Sequence, residues 1–431
     1  MKTNEANLLI HNISQLLTLE GGPQRGHRLG DLSIIENGAV CVAGDQIAAV
    51  GQNKDLLAKY PEASRLDAKG QVVMPGFVDP HTHLVWAGDR AAEFTLRLQG
   101  KGYMEILEAG GGILSTMRAT RRASEADLIR QTRQRAQAAF INGTTTIEVK
   151  TGYGLDHDSE LKQLRVILEL DKEGPIELTP TFLAAHAIPP EYEHSPDAYV
   201  DLICDEMLPT VFSWWQLNAA GRKLPFVDVF CENGAFDLPQ SRRILKRAQS
   251  LGFPLKIHAD EFENLGGTAL AAELGAASAD HLVKTSRKDI EALAASDTVA
   301  VSLPGTPFGL NEEEFTPAQA IINADGLFAL ATDTNPGTSW CESMPFMLSL
   351  ACRKMGLTPA QAIVAATINA AAAIQRQDQI GSLDPGKQAD LLILNVPDYR
   401  HLGYRFGTNL VSTVIKRGRV YSAEPSAVLT K

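Results

Sequence analysis

The sequence predicts an α/β protein: a (β/α)8 barrel of the TIM type, joined to a small β-sandwich module that both chain termini build. Three observations carry this. Strand-like stretches occupy both ends of the chain, and eight further stretches alternate with helical segments between them. Five of the ten histidines, His81, His83, His186, His258 and His281, fall where those eight stretches end.

The first 70 residues contain NLLIHNI, AVCVAGDQIAAVG and RLDAKGQVVMPG, short apolar runs punctuated by Gly and Asn. The last 50 read alike. GSLDPGKQADLLILN carries a D-P-G turn before an apolar strand, and VSTVIKRGRVYS alternates around a K-R-G-R turn. Each half alone would expose an apolar sheet face, so the two are expected to share one module. The predicted division is residues 1–72 with 378–431 as the module and 73–377 as the barrel.

Within the barrel the candidate strands are 72–79, 144–150, 177–185, 226–231, 254–259, 278–283, 298–305 and 327–333. Between them, SEADLIRQTRQRAQAAFING opens on Ser124 with Asp127 three residues later and closes at Gly143. TPAQAIVAATINAAAAI reads as one helix with Thr358 as N-cap and Pro359 at its first position. An open doubly wound sheet competes, but no G-x-G-x-x-G follows a strand. The GGG at 110–112 lacks the Lys-Ser or Lys-Thr of a phosphate loop. It reads as a flexible loop, with closure over a substrate as the alternative.

At 431 residues, 44% hydrophobic and 21% charged, the chain has ample material for such a core. A net charge of −11 argues against a nucleic-acid partner. Five scattered cysteines without a C-x-x-C pair suit a reducing compartment. The N-terminus lacks a signal-peptide core, since His11, Asn12 and Ser14 interrupt it, and no run of about 18 apolar residues suggests a membrane span. A cytoplasmic location is expected, without a membrane partner.

Barrels of this kind build their sites at the C-terminal strand ends. There the sequence places His81 and His83, Lys150 and Tyr153, His186, Cys231 and Glu232, His258 with Asp260 and Glu261, His281, and Asp333 with Asn335. His81 and His83 are two residues apart and so share a strand face. A surface-loop pair is the alternative for so short a pattern, and the other strand ends decide against it. His81, His83, His258 and Asp333 would supply three imidazoles and a carboxylate, with a position open for water. That set suits zinc or iron and lowers the pKa of a bound water. For Asp333 alone a helix N-cap is the alternative, and for His281, preceded by Asp280, a satisfied core histidine.

PGFVDPHTH entering the first barrel strand, single histidines after the fifth and sixth, Asp333 after the eighth and GSLDPGKQADLLIL returning to a β-module resemble the amidohydrolase superfamily. Within it, DPHTHLVWAGDR, GGGILSTMRATR, EVKTGYGL, FCENGAFD, HADEFENLGG, SADHL and ATDTNPGT together resemble the imidazolonepropionase family, over nearly the whole chain. The resemblance implies hydrolysis of the ring carbon–nitrogen bond of 4-imidazolone-5-propanoate to N-formimidoyl-L-glutamate, a step of L-histidine degradation. It implies substrate contacts from Arg90, Tyr153, His186, Glu261, Asn335, Gly337 and Thr338. Arginine suits the propanoate, which it holds in bidentate fashion. In this scheme the metal and Asp333 activate water, His281 bonds the developing oxyanion and Glu261 carries a proton to the leaving nitrogen. One divalent or trivalent ion per chain, zinc or iron, and a homodimer are expected.

Binuclear superfamily members bridge two metals with a modified lysine after strand four. Here that strand ends in Cys231-Glu232, and Lys150 lies on strand two. One metal is expected, with Glu232 as the residue able to upset that. Deamination of another nitrogen heterocycle would use the same ligands and is the rival activity. A catalytically silent scaffold of the same fold should have lost ligands, and none is missing.

Overall fold

Strands β1 (Leu8–Leu17), β2 (Ile34–Ala43), β3 (Gln46–Gln52) and β4 (Ser64–Pro75) start a sheet that the far end of the chain completes. The computed structural model describes residues 7–101 and 111–422. The chain then enters the barrel with β5 (Phe77–Asp79), β6 (Thr144–Lys150), β7 (Glu177–Ala185) and β8 (Phe226–Cys231). The barrel continues with β9 (Lys256–Ala259), β10 (Ser278–His281), β11 (Val299–Ser302) and β12 (Phe328–Leu330). It returns to the first sheet as β13 (Leu391–Leu394), β14 (Val411–Lys416) and β15 (Arg419–Ser422).

The terminal sheet has seven strands in the order β15-β14-β13-β4-β1-β2-β3. It is mixed, because β4 lies parallel to β1 and antiparallel to β13. Both faces of β13 are covered. Leu391 and Ile393 join the module's own cluster with Ile10, Val40 and Val73, whereas Leu392 and Leu394 pack into the large cluster shared with the barrel.

The expected strand over 72–79 is two strands. Residues 72–75 finish β4, and Gly76 turns the chain into the barrel. A Cβ at Gly76 would overlap the Thr145 side chain, so the turn needs glycine. The expected helix from Thr358 to Ile374 is likewise divided, into Pro359–Ala365 and Ile368–Ala373. At the break Thr367 Oγ1 donates to the Ile363 carbonyl at 2.6 Å, a local bond that competes with the helix ladder. The Thr358 cap is as expected, and so is Ser124, whose Oγ accepts the Asp127 N–H at 3.1 Å. Gly110 lies outside the described residues. Gly112 opens a helix over Gly112–Arg122, which corrects the flexible-loop reading at that residue.

Every ladder of the eight-stranded sheet is parallel, in the order β5 to β12. Between β12 and β5 the ring is closed by other bonds. Thr332, just beyond β12, donates its N–H (3.1 Å) and its hydroxyl (2.5 Å) to the Asp79 carboxyl. His83 N–H reaches the Thr334 carbonyl at 2.9 Å, and Asp333 N–H the His81 carbonyl at 3.1 Å. Burial pushes Asp79 up to about 7, against the opposing effect of the Thr332 bonds. Among the described residues no helix is long and apolar enough to cross a membrane.

Glu177, at the opposite end of the barrel, ties it to the terminal sheet. Its Oε2 accepts from Lys416, Arg376 and Gln388 at 3.0 Å each, and Arg417 Nε reaches Oε1 at 2.7 Å. Burial alone would raise the Glu177 pKa, but Lys416, Arg376 and Arg417 outweigh it and hold it well below the usual carboxylate range. Because the folded pKa lies below the unfolded value of about 4.3, this stabilisation is complete above that pH and is lost as pH falls towards the folded pKa. Glu177→Ala should cost about 3 kcal/mol, the low end for removing one member of a buried charge cluster. Urea melts at pH 7 and pH 3 check this: the gap between variant and wild type should narrow at the lower pH. A gap of equal size at both would contradict it.

Candidate metal centre

Strand ends bring the polar side chains together. His81 and His83 follow β5, His258 is the third residue of β9, His281 ends β10 and Asp333 follows β12. His258 Nε2 and His83 Nε2 face each other at 3.4 Å. Asp333 Oδ1 lies 3.4 Å from His83 Nε2 and 3.5 Å from His81 Nε2. All four side chains are buried. His81 Nε2 and Asp333 Oδ1 have no hydrogen-bond partner, a costly arrangement unless a cation sits among them. The ligand atoms of His81, His83 and His258 all lie within 4.8 Å of one another, and so do those of His81, His281 and Asp333. Three imidazoles and a carboxylate fit a transition-metal ion. The protonation states agree: burial, helped by Lys150 and His258, holds His81 and His83 well below the usual histidine range, leaving neutral rings.

Three of the four side chains are approached from behind by a second side chain. Asp280 Oδ2 lies 2.6 Å from His81 Nδ1, which puts the proton there and aims the Nε2 lone pair into the cavity. Asp228 Oδ2 is 3.0 Å from His258 Nδ1, close but not aligned as a hydrogen bond. Thr306 Oγ1 donates to Asp333 Oδ2 at 2.5 Å and turns the other oxygen inward. Asp333 has φ +53° and His281 φ +80°, conformations that L residues rarely adopt and that cluster at functional sites. Asp333 is thus no helix N-cap.

Glu232 is directed elsewhere. Its carboxylate accepts the N–H groups of Asn233 (3.0 Å), Phe262 (2.9 Å) and Glu263 (3.2 Å), so it braces two loops. Lys150 is fully buried in ion pairs below the ligands. Glu261 Oε2 lies 3.5 Å from His281 Nδ1. Burial, with Asp333, Glu232 and Glu312 adding, raises Glu261 well above the carboxylate range; burial also pushes His281 down to about 3.

The mouth of the barrel gathers the remaining residues. His186 stacks on His83 at 4.8 Å between centroids, and Tyr153 lies 5.8 Å from His83. Burial raises the Tyr153 hydroxyl well above the usual tyrosine range. Arg90 Nε donates to Glu93 Oε2 at 2.7 Å, and a Cβ at Gly337 would overlap Arg90 Nη1. The glycine therefore makes room for the guanidinium. Asn335 does not present its amide to the cavity. Oδ1 accepts from Gly337 N and Thr338 N at 2.8 Å each, and Nδ2 donates to the Asp333 carbonyl at 2.7 Å. It shapes the loop. Sequence reasoning passed over Lys256, Asp228 and Glu148, whose signal was a charge inside a candidate strand, and Thr306.

Fold and site together are those of an amidohydrolase. A family model described as "Amidohydrolase family" matches residues 241–421. Solved structures of the same fold include an adenosine deaminase from Xanthomonas campestris with bound zinc, at TM-score 0.69, 19% identity and coverage of 99% of this chain and 95% of that one. A triazine hydrolase variant superposes at TM-score 0.77 with 15% identity, over 98% of this chain and 96% of that one. Sequence relatives are far nearer. The imidazolonepropionase of Herpetosiphon aurantiacus is 54% identical over 96% of this chain and 97% of its own length. That of Chloroflexus aggregans is 50% identical over 96% and 98%. The chain belongs to the imidazolonepropionase family.

His258→Ala should leave the far-UV circular dichroism unchanged, because the barrel core does not rest on that ring, while bound metal falls from about one ion per chain to almost none. Elemental analysis of purified protein checks this. Two ions per wild-type chain would contradict it and point to Glu232.

Proposed function

We propose that the chain hydrolyses 4-imidazolone-5-propanoate to N-formimidoyl-L-glutamate in L-histidine degradation, with His81, His83, His258 and Asp333 holding one zinc or iron ion. The observation that carries this is the buried convergence of His81, His83, His258 and Asp333, with His81 Nε2 and Asp333 Oδ1 left without a hydrogen-bond partner. A bound ion supplies Lewis-acid polarisation of the lactam carbonyl and a water of lowered pKa.

The protein's own groups account for the rest. Arg90, oriented by Glu93, pairs with the propanoate, while Gly337 and Thr338 line the same end and Asn335 fixes their loop. His186 and Tyr153 border the ring. The Asp333 carboxylate takes a proton from the attacking water. His281, neutral because of its burial, donates a hydrogen bond to the oxygen that gains charge. Glu261, held protonated by burial, gives its proton to the ring nitrogen as the carbon–nitrogen bond breaks. That leaves a carboxylate on one side and the formimidoyl nitrogen on the other.

The same proposal takes residues 1–72 with 378–431 as one structural unit and 73–377 as the other, with residues 73–75, which finish β4 in the terminal sheet, moved to the first. It places the protein in the cytoplasm as a homodimer. The free cysteines support a reducing compartment, and the exposed Tyr404 and Phe406 support an interface.

Arg90→Met should leave a carboxylate unpaired in a largely buried pocket at a cost of roughly 2–5 kcal/mol in transition-state binding. That is a loss in kcat/KM of about 30-fold or more. Metal content should be unchanged. Steady-state kinetics on freshly generated 4-imidazolone-5-propanoate test this, and a variant within about threefold of wild type would place the propanoate elsewhere.

A further inference from the structure

Beneath the ligands lies a set of charges that the hydrolysis does not use. Glu148 and Lys150 are two apart on β6 and share a face. With Asp228 on β8, Lys256 on β9 and Asp280 on β10 they fill the barrel interior, and all five are buried. Lys150 Nζ donates to Glu148 Oε1 and to Asp228 Oδ2, both at 2.8 Å, and lies 3.7 Å from Asp280 Oδ2. Those last two oxygens are the ones behind His258 Nδ1 and His81 Nδ1. Glu148 in turn accepts from Thr82 N–H at 3.2 Å, between His81 and His83, and from Thr181 Oγ1. Lys256 Nζ sits 3.5 Å from Asp280 Oδ2 and donates to the carbonyl of Pro80 at 3.0 Å. One ammonium group thus touches or adjoins three carboxylates on three strands, two of which stand behind His258 and His81.

We propose that Lys150 is the positioning residue of the metal centre: set among Glu148, Asp228 and Asp280, its ammonium fixes the carboxylates that aim His258 and His81. Without it three carboxylates would face one another in a dry interior with only Lys256 beside them. Asp228 would then be free to swing away from His258 Nδ1, a contact that already lacks hydrogen-bond alignment. Lys150 touches none of the four proposed ligands and acts through the two aspartates. This inference rests on the proposed metal set.

The test is metal retention by the zinc-loaded protein against a chromogenic chelator, for wild type, Lys150→Met, Asp228→Asn and the double variant. Outer-shell partners of ligating histidines typically contribute 10–100-fold in metal affinity. Each single variant should therefore retain zinc about 10–100-fold more weakly, and the cobalt-substituted forms should shift their visible d–d absorption. In the double variant the two losses should fall short of multiplying, because both cut the Lys150–Asp228 connection, and Lys150→Met alone also loosens the branch through Asp280. Asp228→Asn keeps the side-chain volume and carries the test if Lys150→Met does not fold. Retention within about threefold of wild type in either folded single variant overturns the positioning role alone, and so do losses that multiply. Wild-type protein that retains no zinc or iron overturns the metal set, and the role of Lys150 with it.

Discussion

Everything at the site depends on how the barrel closes. The ladder runs without interruption from β5 round to β12, but β5 is only three residues long and makes no ladder with β12. The seam is sewn instead by Asp79 with Thr332, and by main-chain bonds that link His81 with Asp333 and His83 with Thr334. The residues that close the ring are thus the neighbours of the proposed ligands, or the proposed ligands themselves. A barrel that failed to close here would separate Asp333 from His81 and His83, and the four lone pairs would not converge. Closure and site geometry are one constraint.

The same closure explains why charges occupy the interior. A barrel core is ordinarily filled with branched apolar side chains. Here part of it is filled in that way, by Val78, Phe226, Val299, Val301 and Ala329 among others. Elsewhere in the ring Glu148, Lys150, Asp228, Lys256 and Asp280 replace them. Burying unpaired charges is costly, so each must find a partner within the ring. The carboxylates do so in two directions, towards the lysines below and towards the histidine Nδ1 atoms above. Desolvation works on the ligands at the same time, since it keeps His81 and His83 neutral and able to present lone pairs.

Much of this was legible in the sequence because short-range rules govern it. His81 and His83 declare a shared strand face by spacing alone, and Ser124 and Thr358 declare their helix starts by residue type. The eight-strand rhythm placed His258 and Asp333 at strand ends. What was hidden depends on contacts remote in sequence. Lys150 and Asp280 are 130 residues apart, and nothing local distinguishes a lysine paired inside a ring from one on a solvated face. The break at Gly76 was masked by the apolar run on both sides, since a strand leaving one sheet and a strand entering another have the same pattern. Asn335 was placed correctly, in the loop after β12. Its amide turned out to be engaged by that loop's own backbone, which no motif reveals.

The central claim is that the four side chains brought together at the seam hold one transition-metal ion. Anomalous diffraction from crystals of the zinc- or iron-loaded protein tests it most directly. The account predicts a single peak about 2.0–2.2 Å from His81 Nε2, His83 Nε2, His258 Nε2 and Asp333 Oδ1. A second peak beside Glu232, or a peak that leaves any of the four outside coordination distance, would contradict it.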